Sequence, residues 1–177
     1  MSSPTLSVPA NIKFDEAIDL TQVFLLQLKK NQLTSEQILD FVSALMQTAN
    51  GARGFFVTYL TGTDPICDEP QPEIIAALAA NPTIATDLLV KNIAMSTAQQ
   101  IYHQRRNDPD MMASSATVAT RTTKIIQQLN SPQIQSMCRE LVTTIQTGTG
   151  SYSDFLTRWG YDDEQKNSIA QAVSQLS

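Results

Sequence analysis

The chain has 177 residues, of which 42% are apolar and 16% are charged, and its net charge is −5. This length fits one domain with a self-supporting core, and the composition excludes a disordered chain, which needs few apolar residues and high net charge. The acidic balance and the scattered lysines and arginines exclude the basic face with which nucleic-acid-binding proteins neutralise phosphates.

Residues 1–12 predict a flexible N-terminal tail, because they hold Pro4, Pro9 and three serines but no long apolar run. A secretory signal needs a positive start followed by about 7–15 apolar residues, and this tail lacks both. The longest apolar stretch, Leu20 to Leu28, is interrupted by polar residues and falls short of the roughly 20 residues that span a bilayer. We therefore expect a cytoplasmic protein without a membrane span.

Residues 13–177 predict a single all-helical domain. Apolar residues recur there at i, i+3 and i+4, the helical spacing, in nine segments. The segments are 14–30, 35–49, 52–60, 72–80, 82–103, 109–129, 132–147, 152–159 and 163–176. The only strand-like run, residues 55–60, is too short to build a sheet. The sequence predicts an all-α fold, an irregular or orthogonal bundle of about nine helices.

Helix starts carry recognisable capping residues. Three starts place a capping side chain before a proline, which needs no N–H at the first helical position. These are Asn81-Pro82, Asp108-Pro109 and Ser131-Pro132. Two more show the capping box, and a third shows a weaker version of it. These are Thr34 with Gln37, Asp162 with Gln165, and Ser151 with Asp154.

The segment 82–103 differs from the others because it is apolar all round, which is typical of a helix surrounded by protein. We expect it to be the central buried helix. Two polar pairs, Asp87 with Lys91 and Asn92 with Ser96, stand one turn apart on it. Burying such groups unpaired costs about 1–3 kcal/mol each, so they must face a partner, water or a ligand. An intrahelical ion pair is one interpretation, and a polar groove near Tyr102 is the other.

Residues 61–71 predict an acidic loop between two helical groups, with two prolines, three acids and no base. A calcium loop needs oxygen ligands at alternate positions around a central glycine. Asp64, Asp68 and Glu69 do not match that pattern, so we expect a solvated loop.

An internal similarity connects the two halves of the chain. Gln47-Thr48, Gly51 and Phe56-Val57-Thr58 recur 99 residues later as Gln146-Thr147, Gly150 and Phe155-Leu156-Thr157. Duplication of a helix–turn–short-helix unit explains the match, and so does chance similarity between amphipathic helices.

The chain offers little for catalysis, metals or cofactors. Cys67 and Cys138 are too far apart for a metal knuckle and predict two free thiols in a reducing compartment. The single histidine, His103, lies at a helix end beside Arg105 and Arg106, where the helix dipole alone favours cations. We therefore expect no metal site, no cofactor and no catalytic residue.

The remaining function classes are binding functions. We expect a non-enzymatic interaction or regulatory protein with a protein partner or a second copy of itself, and the alternative is a helical pocket for a small, mostly apolar ligand. The turn before Arg53 could hold an anion or be a plain helix entry. If the aromatic residues of the two short helices are exposed, they are interface anchors. The candidate binding residues are Arg53, Phe56, Tyr59, Lys91, Asn92, Ser96, Tyr102 and His103.

Overall fold

The structure is a computed structural model that describes residues 6–177. All regular structure in this range is helical, with nine α-helices and one short 3-10 helix, so the predicted all-α fold is confirmed. The helices are α1 (Phe14–Lys29), α2 (Ser35–Leu45), α3 (Ala49–Thr61), α4 (Pro72–Ala80), α5 (Pro82–Arg105), α6 (Pro109–Leu129), α7 (Pro132–Thr147), α8 (Ser153–Trp159) and α9 (Asp163–Ser174), with the 3-10 helix at Pro65–Cys67.

The predicted flexible tail, residues 1–12, lies partly outside the described residues. Its described part, residues 6–12, contains no helix. Ile12, at the end of this part, is buried, and its N–H donates to the carbonyl oxygen of Pro9.

Capping residues set most helix ends where the sequence predicts them. Both capping boxes form, at Thr34 with Gln37 and at Asp162 with Gln165. The side chains of Asp108 and Ser131 cap α6 and α7. The weaker prediction at Ser151 is wrong, because its hydroxyl donates to Glu140 and no side chain caps α8.

The boundary between α2 and α3 differs from the prediction. The sequence places a turn at Gly51, whereas α2 ends at Leu45 and Gly51 lies in the first turn of α3. The cause is Thr48, whose hydroxyl oxygen accepts from the Gly51 N–H at 3.0 Å and so begins the helix three residues earlier. The helix predicted over 52–60 therefore starts at Ala49.

Packing groups the chain into two compact units that meet inside α5, between Ala85 and Thr86. In the first unit, α1 packs against α3, and α2 packs against α3 and α4. Aromatic rings fill its core, where Phe24 stacks on Phe41 at 4.6 Å between ring centroids. The Ser35 hydroxyl donates to Glu73 at 2.6 Å, which connects the starts of α2 and α4 and holds the pKa of Glu73 below its ordinary value.

The second unit contains most of α5 and all of α6 to α9, with α7 packed on α9. Gln165 donates to the backbone oxygen of Ala98 at 3.2 Å, which joins α9 to α5. No residue between 84 and 101 is exposed, but many of them are only half-buried, and Thr83 and Tyr102 are exposed, so the buried part is shorter than the predicted segment 82–103. The last turn of α5, from Tyr102 on, is largely open to solvent.

The helices α1 to α4 and α6 to α9 follow a common plan. Asn31 and Asn130, which are 99 residues apart, follow α1 and α6 in the left-handed conformation, with φ of 52° and 43°. The next helix of each set, α2 or α7, packs on the last one, α4 or α9. Duplication of a helical unit predicts shared features of this kind.

Within residues 6–177, no single helix has both the length and the apolar character needed to cross a membrane. The consecutive helices α4 and α5 meet that criterion only when counted together, and they are bent by 113° where they join.

A charged cluster connects the end of α5 to the start of α9. Arg105 donates to Asp162 at 2.6 Å and also to Glu164, and Asp162 accepts from the Gln165 N–H at 3.0 Å. The Arg105 guanidinium, assisted by this N–H, lowers the pKa of Asp162 to about 2.

The substitution Asp162→Asn tests this cluster. Asparagine still caps α9, but it removes the charge, so we expect a melting temperature lower by roughly a few degrees at neutral pH. Because the pKa of Asp162 is lowered on folding, the difference from wild type should be complete above pH ~4 and should narrow towards pH 2. Thermal unfolding across this range checks it, with Asp163→Asn as the neighbouring control. A difference independent of pH would contradict the ion pair.

Candidate interaction groove

A glycine allows α1 and α3 to approach closely. A Cβ at position 54 would overlap the Cβ of Ala17 and would lie only 3.1 Å from the Ile18 nitrogen. Phe14 lies beside Arg53 near one end of the contact, and Lys29 reaches Asp64 beyond the other end. The two helices therefore run side by side in the same direction.

Where the two helices continue past Gly54, they form the walls of a groove of about 500 Å³. One wall comes from α1, the other from the second half of α3, and the residues after α3 close one end. The lining residues are Ile18, Gln22, Leu25, Leu26, Val57, Thr58, Thr61, Gly62, Thr63, Asp64 and Cys67. This set contains one acid and no base.

An ion pair holds the closed end of the groove. Lys29 Nζ lies 2.7 Å from Asp64 Oδ2, while Asp64 Oδ1 accepts from the Ile66 N–H at 3.1 Å and caps the 3-10 helix. Cys67, the last residue of that helix, is buried. A solvent-exposed pair of this kind stabilises a protein by only about 0–1 kcal/mol, so we assign it the role of positioning the loop.

The mouth of the groove is apolar and open to solvent. Leu26 is 57% exposed and Val57 is 39% exposed, which is high for large apolar side chains. The hydroxyl of Thr58 donates to the backbone oxygen of Gly54 at 2.8 Å, and that of Thr61 donates to the oxygen of Val57 at 2.6 Å. With their hydrogens engaged in α3, both hydroxyls offer only acceptor lone pairs to an occupant.

The predicted binding residues of α3 are not among the residues that line this groove. Arg53 is exposed and lies over the ring of Phe14 at 5.2 Å from its centroid. Phe56 and Tyr59 are buried, and the ring of Phe55 stacks on that of Tyr59 at 5.4 Å. Phe56 and Tyr59 therefore support the helix from within and offer no surface to a partner.

The polar residues of α5 are engaged by their own helix and by a ring. Lys91 forms the predicted ion pair with Asp87 at 2.8 Å and lies 5.9 Å from the ring centroid of Phe155. The Ser96 hydroxyl donates to the backbone oxygen of Asn92 at 2.7 Å. These contacts satisfy Asp87, Lys91 and Ser96, three of the four polar groups from which the sequence predicts a ligand pocket.

Tyr102 and His103 form a separate group at the end of α5. Their rings meet edge to face at 5.3 Å, and Arg106 lies over the ring of Tyr102. Tyr102 is six residues beyond Ser96, about 9 Å along the helix axis, and its ring contacts are made with His103 and Arg106 at the helix end.

Burial keeps two reactive side chains of the second unit in their neutral form. Burial raises the pKa of the Cys138 thiol to about 11 and that of Tyr161 to about 12, so both stay protonated at neutral pH. Among residues 6–177, no three His, Cys, Asp or Glu side chains come together as metal ligands could.

Sequence reasoning missed the groove residues themselves. The available signal was the width of the apolar surface on α1, where Leu25 and Leu26 lie outside the face formed by Ala17, Phe24 and Leu28. A helix that packs on one side needs only one such stripe.

Residues 13–176 match the family described as "Uncharacterised conserved protein UCP020893". The chain belongs to this family. The match begins where the sequence predicts the helical domain to start. Neither the curated proteins nor the solved structures contain a match.

The substitution Gly54→Ala tests the packing that forms the groove. Alanine normally stabilises a helix interior by up to about 1 kcal/mol relative to glycine. Here we expect the opposite sign, a loss of roughly 1–3 kcal/mol, because the new methyl overlaps Ala17.

Denaturant unfolding measures this change, and the double variant Gly54→Ala with Ala17→Gly completes a double-mutant cycle. We expect the second change to recover part of the loss. A stabilising Gly54→Ala, or strictly additive effects, would contradict the close approach at this point.

Proposed function

We propose that this protein is a non-enzymatic interaction protein that binds a helix of another protein in the groove between α1 and α3. The observation that supports this proposal most directly is the open, apolar mouth of the groove at Leu26 and Val57. Exposed apolar patches with polar surroundings are typical of protein interaction sites.

The dimensions of the groove favour a helix as its occupant. Its α1 wall runs from Ile18 to Leu26, which is about 12 Å or two helical turns. Helices that dock in grooves insert apolar side chains at i, i+3 or i+4, and i+7, which span the same length. The volume of about 500 Å³ has room for several aliphatic side chains.

The charges around the groove favour lysine or arginine beside those apolar side chains. Asp64, which pairs with Lys29, is the one charged residue among those that line the groove, and Thr58 and Thr61 present acceptors. Asp15 is exposed on the α1 side. An occupant with hydrogen-bond donors and positive charge therefore complements the groove better than an acidic one.

The other binding hypothesis, a small apolar ligand beside α5, has less support. That hypothesis requires polar groups on α5 without hydrogen-bond partners. Lys91 pairs with Asp87, and the Ser96 hydroxyl donates to the backbone oxygen of Asn92. The free, buried cysteines are compatible with our prediction of a cytoplasmic location.

A synthetic peptide pair tests the proposal. The first peptide, of about 15 residues, forms a helix with leucines at i, i+4 and i+7 and lysines beside them; the second replaces each lysine with glutamate. Fluorescence anisotropy with the full chain should give a Kd in the range of ~1–100 μM for the lysine peptide and at least about tenfold weaker binding for the glutamate peptide.

Two variants locate the binding. Val57→Lys places a cation at the mouth of the groove, so it should weaken binding of the lysine peptide at least about tenfold. Leu39→Lys is the matched control, because Leu39 is 38% exposed and Val57 is 39% exposed, but Leu39 lies on α2, outside the lining. Failure of the lysine peptide to bind, equal binding of both peptides, or equal binding by wild type and Val57→Lys would each refute the proposal.

A further inference from the structure

A second surface of α1 faces away from the core and borders the groove only at Leu26. We call the four residues Asp19, Val23, Leu26 and Lys30 the outer stripe. Their spacing of four, three and four residues places them along one side of the helix. All four are exposed, Val23 to 37% and Leu26 to 57%. Leu26 stands on the ridge between the outer stripe and the groove.

When two outer stripes run in opposite directions, each residue faces one of complementary character on the other copy. Asp19 lies four residues before Val23, and Lys30 lies four residues after Leu26. If two copies of α1 pack antiparallel about a two-fold axis midway between Val23 and Leu26, each Val23 meets a Leu26. Each Asp19 then meets a Lys30. A two-fold interface requires this property, because residue i of one copy contacts j of the other while j contacts i.

The two charged residues of the stripe are suited to partners outside the chain. They are eleven residues apart, about 16 Å along the helix, too far to pair with each other. In the described part of the chain, Asp19 and Lys30 form no ion pair with other residues, whereas the neighbouring Lys29 pairs with Asp64. A parallel arrangement would bring Asp19 against Asp19 and Lys30 against Lys30, so charge selects the antiparallel one.

The corresponding face of α6 is covered. With Asn31 aligned to Asn130, the outer stripe corresponds to Val118, Thr122, Ile125 and Leu129. Thr122 and Ile125 are fully buried, and the two outer positions are half-buried. These positions of α6 therefore pack against protein, whereas the aligned positions of α1, the outer stripe, are open to solvent.

We infer that α1 is a self-association surface through which two copies of this chain form an antiparallel α1–α1 pair, with Val23 against Leu26 and Asp19 against Lys30. The contact covers about three helical turns, so it is small and belongs to the weak, transient class of interfaces. The partner is a second copy because the stripe complements itself. The inference does not rest on the groove or on its occupant.

Charge reversal at Asp19 and Lys30 tests this pairing, because the two single variants and their mixture should behave in opposite ways. Asp19→Lys alone and Lys30→Asp alone each bring like charges together, so each should weaken the dimer at least about fivefold. An equimolar mixture of the two variants should form a heterodimer as stable as the wild-type dimer, because every charge then meets its opposite. Sedimentation equilibrium of the full chain, across a concentration series reaching about 1 mM, measures the dimer dissociation constants of Asp19→Lys, of Lys30→Asp and of their mixture.

Asp40→Lys on the exposed side of α2 is the matched control, since it changes the net charge of −5 by as much as Asp19→Lys does. Both substitutions reduce general repulsion between acidic copies, so non-specific association would grow stronger with either. We expect Asp19→Lys to weaken association and Asp40→Lys to leave it unchanged or slightly stronger. Circular dichroism confirms that each variant is folded.

Three outcomes would overturn the inference. The first is a wild-type chain that stays monomeric over the whole concentration series. The second is a dimer whose stability Asp19→Lys and Lys30→Asp do not change. The third is a mixture of the two variants that remains monomeric although each variant is folded. None of these results depends on peptide binding by the groove.

Discussion

The close contact between Gly54 of α3 and Ala17 of α1 sets the geometry of the first unit. A side chain at either position larger than the one present would push the two helices apart, because backbone atoms of Ala17 and Ile18 lie directly behind the Ala17 methyl. The contact lies in the first turn of α1 and near the middle of α3. Beyond it, larger side chains such as Leu25 and Val57 separate the surfaces and leave the groove between them. The shape of the groove thus follows from one small residue at the contact and larger ones beyond it.

Three different faces of α1 have three different roles. Ala17, Phe24 and Leu28 fill the core, while Ile18 and Leu25 form the wall of the groove. The outer stripe faces solvent. Leu26 belongs to both the groove mouth and the outer stripe. A helix bound in the groove and a second copy of the chain would therefore both contact this side chain. Partner binding and self-association would then be thermodynamically coupled through α1, and each would change the affinity for the other by the same factor.

The sequence predicts the helices well because their ends depend on local chemistry. Asp108 and Ser131 cap the helices that follow them, and the prolines after them stand at the first helical position. The errors at helix ends are also local: Thr48 caps α3 where the sequence predicts a turn at Gly51, and Ser151 does not cap α8.

The candidate site depends on tertiary packing, and the sequence does not show which apolar side chains are covered. Phe56 and Val57 are neighbours of similar apolar character, yet Phe56 is buried and Val57 is 39% exposed, because only one of them faces the core. Likewise, Leu26 and Leu28 differ only in the side of α1 on which they lie. A pattern of apolar residues predicts that a face will be covered, but it does not tell whether this chain or a partner covers it.

The relation between the two halves shows the same limit. The residue types of the two similar segments match at an offset of 99 residues, but this offset aligns exposed Val57 with buried Leu156. Burial agrees better at 96 residues, where Leu60 corresponds to Leu156 and Phe56 to Tyr152. The loop from Asn130 to α7 is two residues shorter than the loop from Asn31 to α2, so the offset cannot stay constant along the chain. If the halves arose by duplication, they have kept the pattern of buried positions more closely than the residue types at those positions. By that criterion α1 differs from its counterpart, because the positions of the outer stripe are exposed while the aligned positions of α6 are buried or half-buried.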